Sequence, residues 1–205
     1  PHASDTGALK ELVAELHDAG VRVAARCSPR RARELTPDAL AAEFDLLVIQ
    51  GDVVSAEHVS KTSEPLNLKT FIRELDVPVL VGGCGSHAAA LHLMRTGAAG
   101  VLVGVTRPDL GIGVPLATAL ADARSARVRH LDETGVYCHV IGVDGIRSGA
   151  DVAKAMACGA DAVMVDAAVV TGGDAEDLAE PLRRSMATCG YTDLKSFQKA
   201  EVIVR

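Results

Sequence analysis

Residues 140–165 read VIGVDGIRSGADVAKAMACGADAVMV. Along them run an apolar strand, a Gly-containing turn, a helix closed by Gly159, and a second apolar strand. The spacing predicts strands over Val136–Val143 and Ala162–Val165, with a helix over Asp151–Cys158 between them. Strands apolar at successive positions, not alternate ones, are buried on both faces, as in a parallel sheet covered by helices. The phrase recurs upstream. Residues 95–103, RTGAAGVLV, repeat the order of residues 156–165, MACGADAVMV: helix end, Gly cap, short turn, strand.

Outward from that unit the same alternation continues. Thr6–Ala19 reads as a helix with Leu9, Leu12, Val13 and Leu16 on one face, stopped by Gly20, and Val21–Cys27 as a strand. Ser28-Pro29 and Thr36-Pro37 each set a cap before a Pro, so two short helices are expected there. Further strands are expected at Leu46–Gln50, Val77–Gly82 and Gly100–Val105. Further helices are expected at Asn67–Leu75, from the Ser86 cap to Thr96, and from Pro115 to about Glu133. The tail adds helical stretches at Ala175–Thr188 and Asp193–Lys199, then apolar Val202–Val204. Six β–α steps in a single domain spanning 1–205 satisfy an open doubly wound sheet or a (β/α)₈ barrel. The small residues of the repeated Gly-Ala turns favour the barrel, because they let the turn sit close to the sheet.

Composition excludes several function classes. With 48% hydrophobic and 23% charged residues, the 205-residue chain suits one globular core, not a disordered segment. Apolar runs are short and broken, so no membrane span is expected, and the start, PHASDTGALKEL, lacks the layout of a secretory signal. A net charge of −6 argues against a nucleic-acid groove, and 2% aromatics against base stacking. The five cysteines stand apart with no CxxC pair, so no metal site is expected. Their odd number fits a reducing, cytoplasmic setting.

Several residues stand where chemistry would sit. Asp144, Gly145, Arg147, Ser148 and Gly149 join a strand to a helix, where N–H groups and a cation can cradle a phosphate. The competing reading is a plain turn with an N-cap. Gln50 and Gly51 end one strand, and Gly82 and Gly83 the next, where small residues let a flat ring approach. Cys84 ends a strand near the helix capped by Ser86 and is the cysteine expected to face the site, with Cys27 second. His87 and His92 are expected to face solvent and His139 to lie in the core. The run 124–129, RSARVR, is expected to be a solvated helix face.

The 140–165 stretch resembles the IMP dehydrogenase/GMP reductase family, which carries a Gly-Gly-Ile-Arg-like turn, Ser-Gly-Asp, then Ala-Lys-Ala and Gly-Ala-Asp-Ala-Val-Met. Residues 181–204 (PLRRSMATCGYTDLKSFQKAEVIV), 45–59 (DLLVIQGDVVSAEHV), 64–83 (EPLNLKTFIRELDVPVLVGG) and 92–104 (HLMRTGAAGVLVG) narrow the likeness to an actinobacterial paralogue branch. The resemblance implies a (β/α)₈ barrel, of which strands three to eight are visible. It implies a purine nucleotide monophosphate beside NAD or NADP, with a monovalent cation as an optional addition. It also implies a homo-oligomer, commonly a tetramer.

The chain departs from that pattern at named positions. The family's acidic ribose ligand falls at Val143, with Asp144 one place later, and its Gly-Ser phosphate anchor falls at Asp166 and Ala167. An Asp that contacts the nicotinamide ribose falls at Gln50, and an Asn at Gly83. The family's Gly-rich catalytic-Cys loop is absent: Val105, Thr106, Arg107 and Pro108 follow Gly104 directly, so Thr106 and Arg107 match only the loop's end. The flap expected after Val170 is replaced by Thr171-Gly-Gly-Asp. Two readings follow: an oxidoreductase of this type, and a catalytically silent paralogue that binds a nucleotide or regulates a partner.

Overall fold

A computed structural model of the chain describes residues 6–59, 64–107, 112–165, 169 and 175–202. Helix α1 (Thr6–Asp18) leads into β1 (Ala24–Cys27), a 3₁₀ turn at Pro29–Arg31 and α2 (Ala32–Ala41). There follow β2 (Leu46–Gln50), a β3 (Glu57–His58)–β4 (Leu66–Asn67) hairpin, α3 (Leu68–Arg73), β5 (Val79–Cys84) and α4 (His87–Met94). Next come β6 (Gly100–Val103), a β7 (Val105–Arg107)–β8 (Ile112–Val114) hairpin and α5 (Leu116–Thr134). The chain continues through β9 (His139–Gly142), α6 (Gly149–Ala157), β10 (Ala162–Val163), α7 (Ala175–Thr188) and α8 (Leu194–Phe197).

Six strands form one parallel sheet in the order β1-β2-β5-β6-β9-β10, which is also their order in the sequence. A doubly wound sheet reverses direction at a switch point. Here it never reverses, so the helices share one face and the sheet curls as the wall of an incomplete (β/α)₈ barrel.

The period of two along each strand separates two apolar sets. On the helix side Leu47, Ile49, Val79, Val81, Val101 and Val140 meet Leu91, Met94, Leu120, Val152 and Met156. On the concave side Val48, Leu102 and Ile141 gather with half-buried Leu46, Leu80, Val143 and Met164. Helix starts are set by side-chain caps: Asn67 accepts from the Thr70 N–H, Ser86 from Ala89, Ser148 from Asp151 and Asp193 from Ser196.

One device appears at both outermost strand pairs, at the base of the sheet. The Asp45 N–H donates to Val23 O, and its carboxylate accepts from the Val23 N–H at 2.7 Å. The Asp161 N–H donates to Val140 O, and its carboxylate accepts from the Val140 N–H at 2.8 Å. Each carboxylate thus fastens its own strand to the start of the neighbouring one. Asp45 also takes His17 Nε2 at 2.9 Å and the Arg22 guanidinium at 2.8 Å. These donors, the Val23 N–H first, hold its carboxyl far below the usual range.

The structure corrects several expectations. Helix α2 starts at Ala32 and runs through Pro37, so it is one helix, not two. Pro37 removes a single backbone bond, and the Thr36 hydroxyl donates to Ala32 O at 2.6 Å. The two hairpins were not anticipated, their strands being too short to show a period. Arg127 is buried, not solvated, and pairs with Asp161, while His139 is exposed. The strand that the pattern starts at Val136 begins at His139, because Val136 and Tyr137 are exposed before the sheet is reached.

Candidate functional site

The carboxyl ends of the strands meet at a cleft of about 400 Å³. From β1 it is lined by Arg26, Cys27 and Ser28, and from β2 by Gln50, Gly51 and Asp52. Gly104 and Val105 follow β6, and Val143 and Asp144 follow β9. Of the candidate site residues singled out in the sequence, Cys27, Gln50, Gly51 and Asp144 therefore share one cavity. Arg26, Ser28 and Asp52 were missed. The available signal for Arg26 was a lone cation inside an otherwise apolar run, VAARC at 23–27.

Gly82 and Gly83 do not line the cleft. A Cβ built at Gly82 would stand 2.3 Å from Leu102 O, and one at Gly83 would stand 2.6 Å from Gly104 O. Their missing side chains make room for the adjoining backbone, which brings the strand ends together; the space is not left for a ring.

In the 144–149 turn the plain capping arrangement is present. Ser148 Oγ donates to Asp151 Oδ2 at 2.8 Å, and the Arg147 N–H donates to the same oxygen at 3.2 Å. Lys154 stands 2.8 Å from Asp151 Oδ1; with Ser148 and the Arg147 N–H it overcomes partial burial and holds the Asp151 carboxyl below its ordinary value. What the turn still offers a ligand is the exposed Gly145 and the exposed Arg147 side chain. Thr106 and Arg107 lie in β7, directly after cleft-lining Val105. Asp166, Ala167 and the stretch after Val170 lie outside the described residues.

The cysteines divide by position. Cys84 is 1% exposed, and its thiol donates to Leu102 O at 3.5 Å, away from the cleft. Burial pushes it up to about 12. Cys138, donating to Ala98 O, is likewise pushed up to about 12, by burial first and Asp161 second. Cys27 is the cysteine that lines the cleft; burial raises its thiol to about 11 against the pull of Arg31. A thiol so raised is protonated and unreactive at neutral pH. Alkylation of the folded protein near neutral pH is expected to label exposed Cys189 first and to spare Cys27, Cys84 and Cys138. Peptide mass spectrometry reads this directly, and early labelling of Cys84 would contradict its placement.

The IMP dehydrogenase / GMP reductase domain family matches residues 10–176. An uncharacterized oxidoreductase of Mycolicibacterium smegmatis is 45% identical over 255 residues, covering 98% of this chain and 68% of that protein. That aligned length exceeds the 205 residues of the chain, so the relative carries internal segments absent here. The inosine-5'-monophosphate dehydrogenase of Methanocaldococcus jannaschii is 33% identical over 153 residues, covering 70% of this chain and 28% of that enzyme. The crystal structure of an IMP dehydrogenase/GMP reductase-like protein from Corynebacterium glutamicum superposes with a TM-score of 0.84 at 39% identity. That comparison covers 98% of this chain and 66% of that one, so the chain spans about two thirds of the relatives it matches best among these.

Proposed function

The chain belongs to the IMP dehydrogenase / GMP reductase domain family, and from that premise we propose that it is an oxidoreductase acting on a purine nucleotide monophosphate with NAD or NADP. The observation that carries the reading is the charge order of the cleft, with Asp52 and Asp144 in it and the exposed Arg147 close by in the 144–149 turn. Carboxylates suit the vicinal hydroxyls of a ribose, and a guanidinium suits a phosphate. A cavity of about 400 Å³ also falls within the range of about 300–1,000 Å³ usual for small-molecule sites.

In this reading Gly145 and Arg147 receive the nucleotide phosphate at the start of α6, where the helix dipole adds attraction. Asp144 takes the ribose hydroxyls from one place beyond the family's usual position. Gln50, Gly51 and Asp52 face the nicotinamide ribose. Ser148 and Gly149 hold the turn through the cap, while Gly82 and Gly83 set the wall behind. Asp166 belongs to the same rim by sequence, and Thr106 and Arg107 to its edge. Nicotinamide, when bound, gives or takes a hydride. The purine must be activated by a nucleophile, and Cys27 is the cysteine among the described residues that lines the cleft. At neutral pH only a small fraction is thiolate, so a rate that uses it climbs with pH toward about 11.

That protonated thiol, and the direct passage from Gly104 into β7, favour a second reading: binding without turnover. Incubation with IMP and NAD or NADP, and with GMP and NADH or NADPH, separates the two by the reduced-cofactor absorbance. Turnover that rises with pH and disappears in Cys27→Ser supports the first. A nucleotide-raised melting temperature without turnover supports the second. Neither response removes both.

A further inference from the structure

We propose that Arg26 is the phosphate anchor of the nicotinamide dinucleotide, at the opposite end of the cleft from the Asp144–Gly149 turn. The inference rests on the two-ligand reading above and gives it a direction.

Its basis is the placement of one side chain. Ala25 and Cys27 pack into the core on the helix side, so by strand alternation Arg26 projects from the concave side. It is paired in register with Val48, a member of the concave apolar set. Concave positions of such barrels are ordinarily filled by branched apolar side chains. An arginine there gives up packing and gains nothing for the core. Among the described residues its guanidinium makes one hydrogen bond, to Gln50 Oε1 at a long 3.4 Å. Most of its five N–H donors are therefore left for a ligand. Arg26 is also the cation among the described residues lining the cleft.

Charge order supplies the direction. From β1 to the 144–149 turn the sequence of charges is Arg26, Asp52, Asp144, Arg147. Two phosphate-bearing ligands cannot place both anions at one end without repulsion. The carboxylates between the two arginines repel phosphate and suit sugar hydroxyls. With the mononucleotide phosphate at Arg147, the dinucleotide phosphates go to Arg26, whose planar fork matches them in two-point geometry.

Calorimetric titration of the full chain with NAD, NADP and IMP, each alone, tests this in the parent protein, Arg26→Ala and Ser28→Asp. Ser28 is exposed, lines the same end of the cleft and makes no side-chain cap bond, so its replacement adds a repelling charge at little structural cost. Circular dichroism melts confirm that both variants fold. Loss of one charged phosphate contact corresponds to about tenfold to hundredfold weaker binding. That loss is expected for the dinucleotides in both variants, with IMP affinity within about twofold. Equal loss for NAD and NADP identifies the diphosphate, whereas loss for NADP alone identifies the 2'-phosphate; either supports the anchor. Unchanged dinucleotide binding in Arg26→Ala, or weakening confined to IMP, overturns it. A parent protein that binds IMP but no dinucleotide overturns the two-ligand reading itself.

Discussion

Asp161→Ala is expected to destabilise the protein by about 3–5 kcal/mol, the cost of leaving one partner of a buried ion pair uncompensated. For a chain of this length that lowers the melting temperature by about 6–20 °C. The stranded partner is Arg127, whose side chain is 7% exposed and lies 2.5 Å from the Asp161 carboxylate, itself 15% exposed. Arg127 also stacks over the Tyr137 ring at 5.1 Å and reaches Gly159 O at 3.4 Å. Around the same carboxylate the Tyr137 hydroxyl donates at 2.7 Å and the Gln198 amide at 3.1 Å. The substitution therefore unties β9, β10, α5 and α8 together. Burial alone would raise the Asp161 carboxyl, but the Val140 N–H, Tyr137, Gln198 and Arg127 outweigh it and hold it below its ordinary value. A carboxyl lowered in the folded state contributes stability above its unfolded value, about 3.9, and loses it as pH falls through the lower folded value. Urea melts from neutral to acid pH should show that decline in the parent and a shallower one in Asp161→Ala. A variant within 1 kcal/mol of the parent, as order-of-magnitude scale, would mean the cluster is not coupled as described.

Gly82→Ala carries the second large effect. The added Cβ would meet Leu102 O at 2.3 Å, Leu102 Cβ at 2.5 Å and Leu102 Cα at 2.9 Å. These are backbone or backbone-proximal atoms of a strand held on both sides, so no rotamer change relieves the clash. Forced overpacking of this kind costs about 3 kcal/mol, or a melting temperature lower by about 6–12 °C. Because β5 and β6 separate where the rim is built, ligand-binding affinity should fall as well. Gly85→Ala is the control. Its Cβ would find nothing nearer than 3.5 Å, so it should stay within about 1 kcal/mol of the parent. Because replacing Gly by Ala also restricts the unfolded chain, which favours the fold, similar losses for both would mean that the clash with Leu102 does not set the cost.

Much of the barrel wall was readable in advance because its signals are local. Gly97 and Gly159 end helices, Ser86 and Ser148 begin them, and the apolar runs at 46–50 and 100–103 are strands. Sequence periodicity carried less of the site. It placed Gln50, Gly51 and Asp144 at strand ends, which suffices to predict that they meet. It could not separate glycines that admit a ligand from those that admit a neighbouring strand, so Gly82 and Gly83 read as a ring platform. Nor could it show that the thiol of Cys84 turns to Leu102 O while Cys27 borders the cleft, since that depends on how the curled sheet sets each strand end. Arg127 was misjudged for a related reason. Its partner lies 34 residues away, and helical spacing alone gives no hint of it.

The paired aspartates at the base give the molecule a stiff end and a soft one. Charged ties at Asp45 and Asp161 secure both flanks where the strands begin, whereas the opposite ends stop in glycines and short turns. Thermal breathing should therefore splay the sheet like a fan gripped at its handle: the mouth can widen to admit a visitor while strand register at the grip stays fixed.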